Sequence, residues 1–222
     1  MVRHGESEPM TEGHALPLRD GHGDPALAVE GLEQAEQIAD RLAASRERIA
    51  AIYVTTLRRT HQTAAPLAAR LGLEPVVEAD LREVFLGDWE GGVLRQRVVD
   101  GDPIATAMFQ QGRWDVIPGA ESERALRDRV RAGIERIAAA HPDELVAIVV
   151  HGGVIGTIMN LATGSTGFAF TGADNASISH LVVTPERWIV RCYNDTTHLR
   201  DRFSTVGEPP PATGIRPAGL TF

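Results

Sequence analysis

The sequence predicts an α/β fold, a three-layer sandwich in which a largely parallel central sheet is flanked by helices. Three observations carry that expectation. Short apolar, strand-like runs alternate with amphipathic helical stretches, the pattern of a layered sheet-and-helix domain. The run from Leu145 to Val150 is apolar at every position, as expected of a strand buried on both faces of a parallel sheet. The length of 222 residues, with 43% hydrophobic and 23% charged, suits one good-sized domain with its own core.

Taken in order, Met1-Val2 reads as the end of a short strand, followed by a polar, Gly/Pro-rich loop from Gly5 to Pro25. Gly31 to Ser45 places Leu32, Ala35, Ile38, Ala39 and Leu42 at helical spacing. Ala51 to Thr55 is a compact apolar strand. Leu57 to Leu71 is helical, with Gly72 as its stop. Pro75 to Val77 is a further short strand, and Leu81 to Gly92 a loop. Val93 to Gln111 is weakly helical. Glu121 to Ala140 is an amphipathic helix with Leu126, Val130, Ile134 and Ile137 on one face. After the Leu145 strand, Gly153 to Thr163 returns to helix, and Ser177 to Thr184 and Trp188 to Asn194 read as strands. Residues 1–206 are expected to form one domain with a small cap around 93–121. Residues 207–222, including Pro209-Pro210-Pro211, have the composition of a tail.

Composition narrows the function. The formal charge is −8, which disfavours nucleic acid and anionic lipid as partners. The chain has no lysine, so all 22 basic residues are arginine, and any phosphate clamp must be built from guanidinium and imidazole groups. The Ala, Arg, Gly and Pro richness fits a GC-rich bacterial source. No apolar run approaches the roughly 20 residues that span a bilayer, and the N-terminus turns polar at once, so the expected location is the cytoplasm. Cys192 excludes an internal disulfide and is read as a small buried side chain. His14, His61, His141 and His180 show no metal-ligand spacing, and a P-loop is excluded because it requires lysine.

In parallel sheets, ligands sit beyond the carboxyl ends of the strands. Arg3-His4, Arg58-Arg59 and His151 each follow a predicted strand and so reach the same edge. Phosphoryl transfer needs a nucleophile, cations around the equatorial oxygens and an acid for the leaving group. His4 can attack through a neutral ring nitrogen, kept neutral by guanidinium charge from Arg3 and Arg59. The same arginines can hold phosphate oxygens in pairs. His151 adds a donor, the Gly152-Gly153 turn offers backbone N–H groups, and Glu83 is the candidate acid.

These residues stand in a familiar order. Arg3-His4-Gly5-Glu6-Ser7 resembles the signature of the histidine phosphatase superfamily, the phosphoglycerate-mutase-like proteins. Thr55 to Ala64 is similar to that family's segment ending in Arg-Ala/Thr-x-Gln-Thr-Ala, which selects Arg59 rather than Arg58 for phosphate. Leu81 to Gly91 resembles the block carrying the proton donor, here Glu83. Val149 to Ile155 resembles the second-histidine block, and Asn194 to Leu199 the C-terminal strand-end motif. The resemblance spans about Met1 to Leu199. It implies a phosphatase acting on a small-molecule phosphate ester, with a phosphohistidine on His4, Glu83 as acid and then base, and Arg3, Arg59, His151 and Gly152 around the phosphoryl group. It implies no metal or cofactor, and it is compatible with a homodimer.

The chain also departs from the family pattern. Glu8-Pro9-Met10 stands where mutases carry Trp-Asn, so one phosphate contact is expected to be missing or supplied from elsewhere. His22 lies where the family often has an arginine in a Gly-rich loop, and it is read as lining the phosphate pocket. Two residues ahead of Arg3 are few for a central strand, so a few residues are expected to precede Met1 in the natural protein. The stretch between Glu83 and His151 has no long insertion, which favours a phosphatase over a mutase. A partner-binding, non-catalytic relative is the third reading. Within the cap, Arg95, Arg97, Phe109, Arg113 and Trp114 are the candidates to touch the leaving group, and the arginines point to an acidic substrate.

Overall fold

The computed structural model describes residues 1–10 and 16–199. His14 and the stretch from Gly207 lie outside the described residues. In chain order the elements are β1 (Val2–Arg3), β2 (Leu18–Arg19), β3 (His22–Gly23), α1 (Val29–Ala43), β4 (Ile49–Val54), α2 (Arg58–Leu71), β5 (Val76–Val77), α3 (Val93–Val99), α4 (Pro103–Gln111), α5 (Glu123–Ala140), β6 (Leu145–Val150), α6 (Gly152–Thr163), β7 (Ile178–Val183) and β8 (Trp188–Asp195). Six strands form one sheet in the order β5-β4-β6-β1-β7-β8. The pairings from β5 through β1 are parallel, and β7 and β8 add an antiparallel edge. The α/β architecture expected from the sequence is the one observed.

Strand side chains alternate between faces, and β6 shows what this does. Ile148 and Val150 face one apolar cluster with Leu126, Val130 and Ile134 of α5 and Ile155 and Ile158 of α6. Ala147 and Val149 face the other, with Ile38 and Ala39 of α1 and Ala64 and Leu67 of α2. Two helical layers therefore sandwich the sheet. A third cluster, Trp89, Ala105, Met108 and Ile117, gathers the segment around α3 and α4 (the cap).

Several elements differ in detail from the sequence expectation. The Gly5 to Pro25 loop contains the hairpin β2–β3, whose turn residues Asp20 and Gly21 both have positive φ (50° and 84°), the backbone that an Asp-Gly turn favours. Val93 to Gln111 is two helices, broken at Gly101 (φ 70°). The second restarts because the Asp102 side chain accepts from the Ile104 N–H and Pro103 takes the first helical position. Leu32 is exposed at 47%, since α1 turns Gly31, Ala35, Ile38 and Ala39 inward. Cys192 is only half-buried because β8 is the sheet's edge strand.

The central strand β1 is short but held on both sides. Val2 pairs with Val149 and with Ile178. The His4 N–H donates to the Val150 carbonyl at 3.0 Å, and the Ala176 N–H to the His4 carbonyl at 3.1 Å. Immediately after it, the chain meets the first turn of α1 backbone to backbone. A Cβ on Gly31 would lie 2.0 Å from the Glu6 carbonyl oxygen, and one on Gly5 would lie 2.5 Å from the Gly31 oxygen. Such an approach is open only to glycine. Gly31→Ala is therefore expected to lower unfolding stability by about 2 kcal/mol, with overpacking outweighing the gain in helix propensity. An unchanged urea midpoint would show that the loop yields without cost.

Candidate active site

Three parallel strand ends and one loop converge on a cavity of about 250 Å3 lined in part by Arg3, His4, Arg59, Glu83 and Gly152. His4 leaves the end of β1 and is 5% exposed. Its Nδ1 lies 2.8 Å from the Gly5 carbonyl, and its Nε2 lies 3.2 Å from Arg59 Nε, which is always a donor. The proton therefore sits on Nδ1, and the Nε2 lone pair is unprotonated. Burial is the largest cause holding the His4 pKa well below its ordinary value, with Arg59 and Arg3 adding to it. The arginines credited from the sequence thus act in the expected direction but are the smaller effect.

Arg59 stands in the first turn of α2, and that helix start is tied down. Asp24, 8% exposed, accepts from the Arg58 N–H at 2.6 Å, while Arg59 donates to the Gly23 carbonyl at 2.8 Å. Arg3 donates to the Ala173 carbonyl. Its Nε is buried without a partner among the described residues. His151 caps the start of α6 and is fully buried, its ring edge-on to His4 with centroids 5.2 Å apart. Its Nε2 lies 2.9 Å from Thr55 Oγ1, and its Nδ1 has no partner among the described residues. Its pKa too is held well below the usual value, chiefly by burial and next by Arg59.

Glu83 reaches the cavity from the loop after β5. One carboxylate oxygen accepts from the Val84 N–H at 2.9 Å, and the other from the Gly153 N–H at 3.4 Å. The start of α6, expected to offer free N–H groups to an anion, thus gives the Gly153 N–H to Glu83. Gly153 must be glycine for this, since a Cβ there would meet Val84 Cγ2 at 2.5 Å and Glu83 Oε1 at 2.8 Å. Gly152 packs against the Arg3 guanidinium instead.

His22 is not brought into the cavity. It is buried on β3, with its ring 5.2 Å from that of Phe85 and its Nδ1 3.3 Å from the Asp20 carbonyl. The hairpin contributes backbone rather than side chain, through the Gly23 carbonyl and through the Gly23 N–H, which donates to Glu90 at 2.8 Å. Of the cap residues named from the sequence, Arg95 and Trp114 line the cavity. Arg97 pairs with Asp102, Arg113 pairs with Asp115, and Phe109 packs on Phe168.

Sequence reasoning missed three positioning residues. Thr55 holds His151, and Asp24 holds the start of α2. Arg129, on α5, donates to the carbonyls of Asp80 (2.6 Å), Arg82 (2.8 Å) and Glu83 (3.0 Å) and pairs with Glu121, so it gathers the loop that carries Glu83. Asp24 stands beside a proline, a turn signal that could have drawn attention to it. Arg129 looks like any other arginine of an amphipathic helix.

Two buried, neutral imidazoles have a consequence for stability. In the unfolded chain both protonate near the ordinary value of about 6.5, while in the fold both stay neutral well below it. The unfolded state thus binds more protons on the acid side. Their contribution is complete above about pH 6.5 and is lost as the pH falls, at up to about 1.4 kcal/mol per pH unit for each group. The urea midpoint is expected to drop between pH 7.5 and pH 5.5. A midpoint that holds constant would mean the imidazoles are not buried and neutral.

Fold and site together define an α/β protein with an anion-receptive pocket at the carboxyl edge of its sheet. The sequence profile of the histidine phosphatase superfamily (branch 1) matches residues 1–196, and the chain belongs to that family. It is 33% identical over 204 residues to phosphoglycerate mutase-like protein 4 of Arabidopsis thaliana, covering 90% of this chain and 86% of that protein. It is 32% identical to the metal-independent phosphoserine phosphatase of the same plant, covering 90% and 82%. Among solved structures, the mycobacterial glucosyl-3-phosphoglycerate phosphatase superposes with a TM-score of 0.70 at 27% identity, covering 87% of this chain and 96% of that one. Among the described residues, no helix is long and apolar enough to cross a membrane.

Proposed function

We propose that the protein is a metal-independent phosphomonoesterase that works through a phosphohistidine on His4. One observation carries the reading: a neutral imidazole with an unprotonated Nε2 stands beside two buried donors, Arg3 Nε and His151 Nδ1, that have no partner among the described residues. Buried polar groups are rarely left unpaired, and an ester phosphate would satisfy both. His151 can donate from Nδ1 when Thr55 donates to its Nε2, and Thr55 thereby sets the tautomer. Phosphatases among the relatives support the same chemistry.

In the first step the Nε2 lone pair forms a bond to phosphorus and the bond to the ester oxygen breaks. Glu83, as the carboxylic acid, gives its proton to that leaving oxygen. In the second step Glu83, now a carboxylate, takes a proton from water as the water oxygen attacks phosphorus. The P–N bond electrons return to Nε2, and inorganic phosphate leaves. Arg3 and Arg59 hold the equatorial oxygens through both steps.

The test is a rapid quench with a 32P-labelled ester in the presence of chelator. An acid-labile, alkali-stable label on the protein, followed by labelled inorganic phosphate, is expected. Label passing to an added phosphoglycerate instead of water would establish a mutase. Neither label nor phosphate would leave a binding role.

A further inference from the structure

Beyond the phosphoryl end, the cavity wall among the described residues is unlike that of a pocket for a small polar metabolite. Met10, Leu16, Leu86, Trp89, Leu94 and Trp114 line it. Glu90 also lines it, but its two carboxylate oxygens accept from the N–H groups of Gly23 and Leu86, at 2.8 and 2.9 Å. Glu83 is likewise bound to backbone on both oxygens. Besides Arg3 and Arg59, the cation among the described lining residues is Arg95, which is exposed and makes no ion pair among the described residues. The aromatic wall is braced from behind, because Trp114 packs on Phe168 with ring centroids 4.6 Å apart. Trp89 is 4% exposed and part of the cap's own core.

A leaving group rich in hydroxyls or amines would lose water here and find Ser7, Glu8 and Thr171 as side-chain partners against six apolar ones. A second phosphate or a nucleotide would place several charges against one exposed guanidinium, with Glu8, Glu83 and Glu90 on the same wall. An apolar ring or alkyl group would be removed from water by six apolar side chains.

We infer that the alcohol released by this site is predominantly apolar, a ring or branched alkyl group seated between Trp114 and Leu94, with at most one anionic substituent, which Arg95 meets at the mouth. The inference rests on the phosphatase reading for the reacting end and narrows it for the other. It also revises the acidic-substrate expectation, because two of the three cap arginines are committed elsewhere.

The experiment compares esters of primary alcohols, so that leaving-group chemistry does not decide the ranking. 2-Phenylethyl phosphate is expected to exceed glycerol phosphate and phosphoserine in kcat/KM by about tenfold or more, the scale on which an apolar pocket discriminates. Leu94→Asn is expected to remove most of that advantage while leaving inhibition by inorganic phosphate unchanged. Arg95→Gln, at an exposed position, is expected to lower the kcat/KM ratio of a carboxyphenylethyl ester to the plain phenylethyl ester by up to about fivefold, the scale of an exposed ion pair. The same esters are titrated into His4→Ala by calorimetry, which reads the pocket without turnover. Tighter binding of glycerol phosphate or phosphoserine than of the phenylethyl ester would overturn the substrate class, whatever the wild type hydrolyses. Preferred binding of the phenylethyl ester with no phosphate release from the wild type would instead overturn the reaction and keep the pocket.

Discussion

His4→Ala is expected to reduce phosphate release by at least about 10^4-fold, the scale on which removing a nucleophile acts in other hydrolases. The size of the effect follows from the surroundings. The other imidazole of the site, His151, is tied at Nε2 to Thr55 and fully buried, so it cannot take over the attack. Cys192 lies on the edge strand, away from the cavity lining. The variant leaves a hole at the cavity floor while Arg3 and Arg59 remain, so it should still hold phosphate. Free imidazole added to the variant is expected to restore part of the activity by occupying that hole. Circular dichroism and the urea midpoint check that the fold persists. Turnover within tenfold of wild type would take His4 out of the chemistry.

Arg59→Met is expected to lower kcat/KM by about 10^3-fold, the upper range for losing one preorganised donor at a developing charge. Methionine keeps bulk in the buried site and removes three interactions at once. Those are the bond that fixes the His4 tautomer, the bond to the Gly23 carbonyl, and the leading charge, after burial, that keeps both imidazoles neutral. The last makes a distinguishing forecast. Without Arg59 the His4 pKa moves up toward its ordinary value, because a neighbouring positive charge no longer opposes protonation. The inactive imidazolium then forms at higher pH, and the acid limb of the kcat/KM profile shifts to higher pH. Lysine is not expected to restore the wild type, since it cannot present the planar fork. A rate loss with an unmoved acid limb would mean that Arg59 binds substrate only.

What could be read from the sequence, and what could not, divides along physical lines. The sheet's central strand β6 was legible because it is apolar throughout, and α5 because its apolar positions recur at helical spacing. His4, Arg59, Glu83 and His151 were legible because each follows a strand or stands in a recognisable block, and the structure brings them to one edge. The hairpin β2–β3 was not, since two-residue strands carry no periodicity and only the Asp20-Gly21 pair marks the turn. His22 was misplaced for the same reason: in a loop it could face the pocket, but on β3 it packs against Phe85. Cap arginines look alike in a sequence, and only the positions of Asp102 and Asp115 distinguish Arg97 and Arg113 from Arg95. Arg129 escaped notice because, besides Glu121, its partners are backbone carbonyls, which every residue has.

The cap keeps its own apolar cluster, which meets the core on the α5 and α6 side of the sheet at Leu86 and Trp114. Leu94, which packs only within the cap, can therefore be exchanged by drift or by engineering without disturbing the strands that carry His4 and His151, whereas Trp114 cannot. The same two bridging residues are where the cap would part from the sheet on opening. The cap's amides should exchange with solvent by local opening, ahead of those of β6, and a bound ester bridging cap and sheet should slow that exchange.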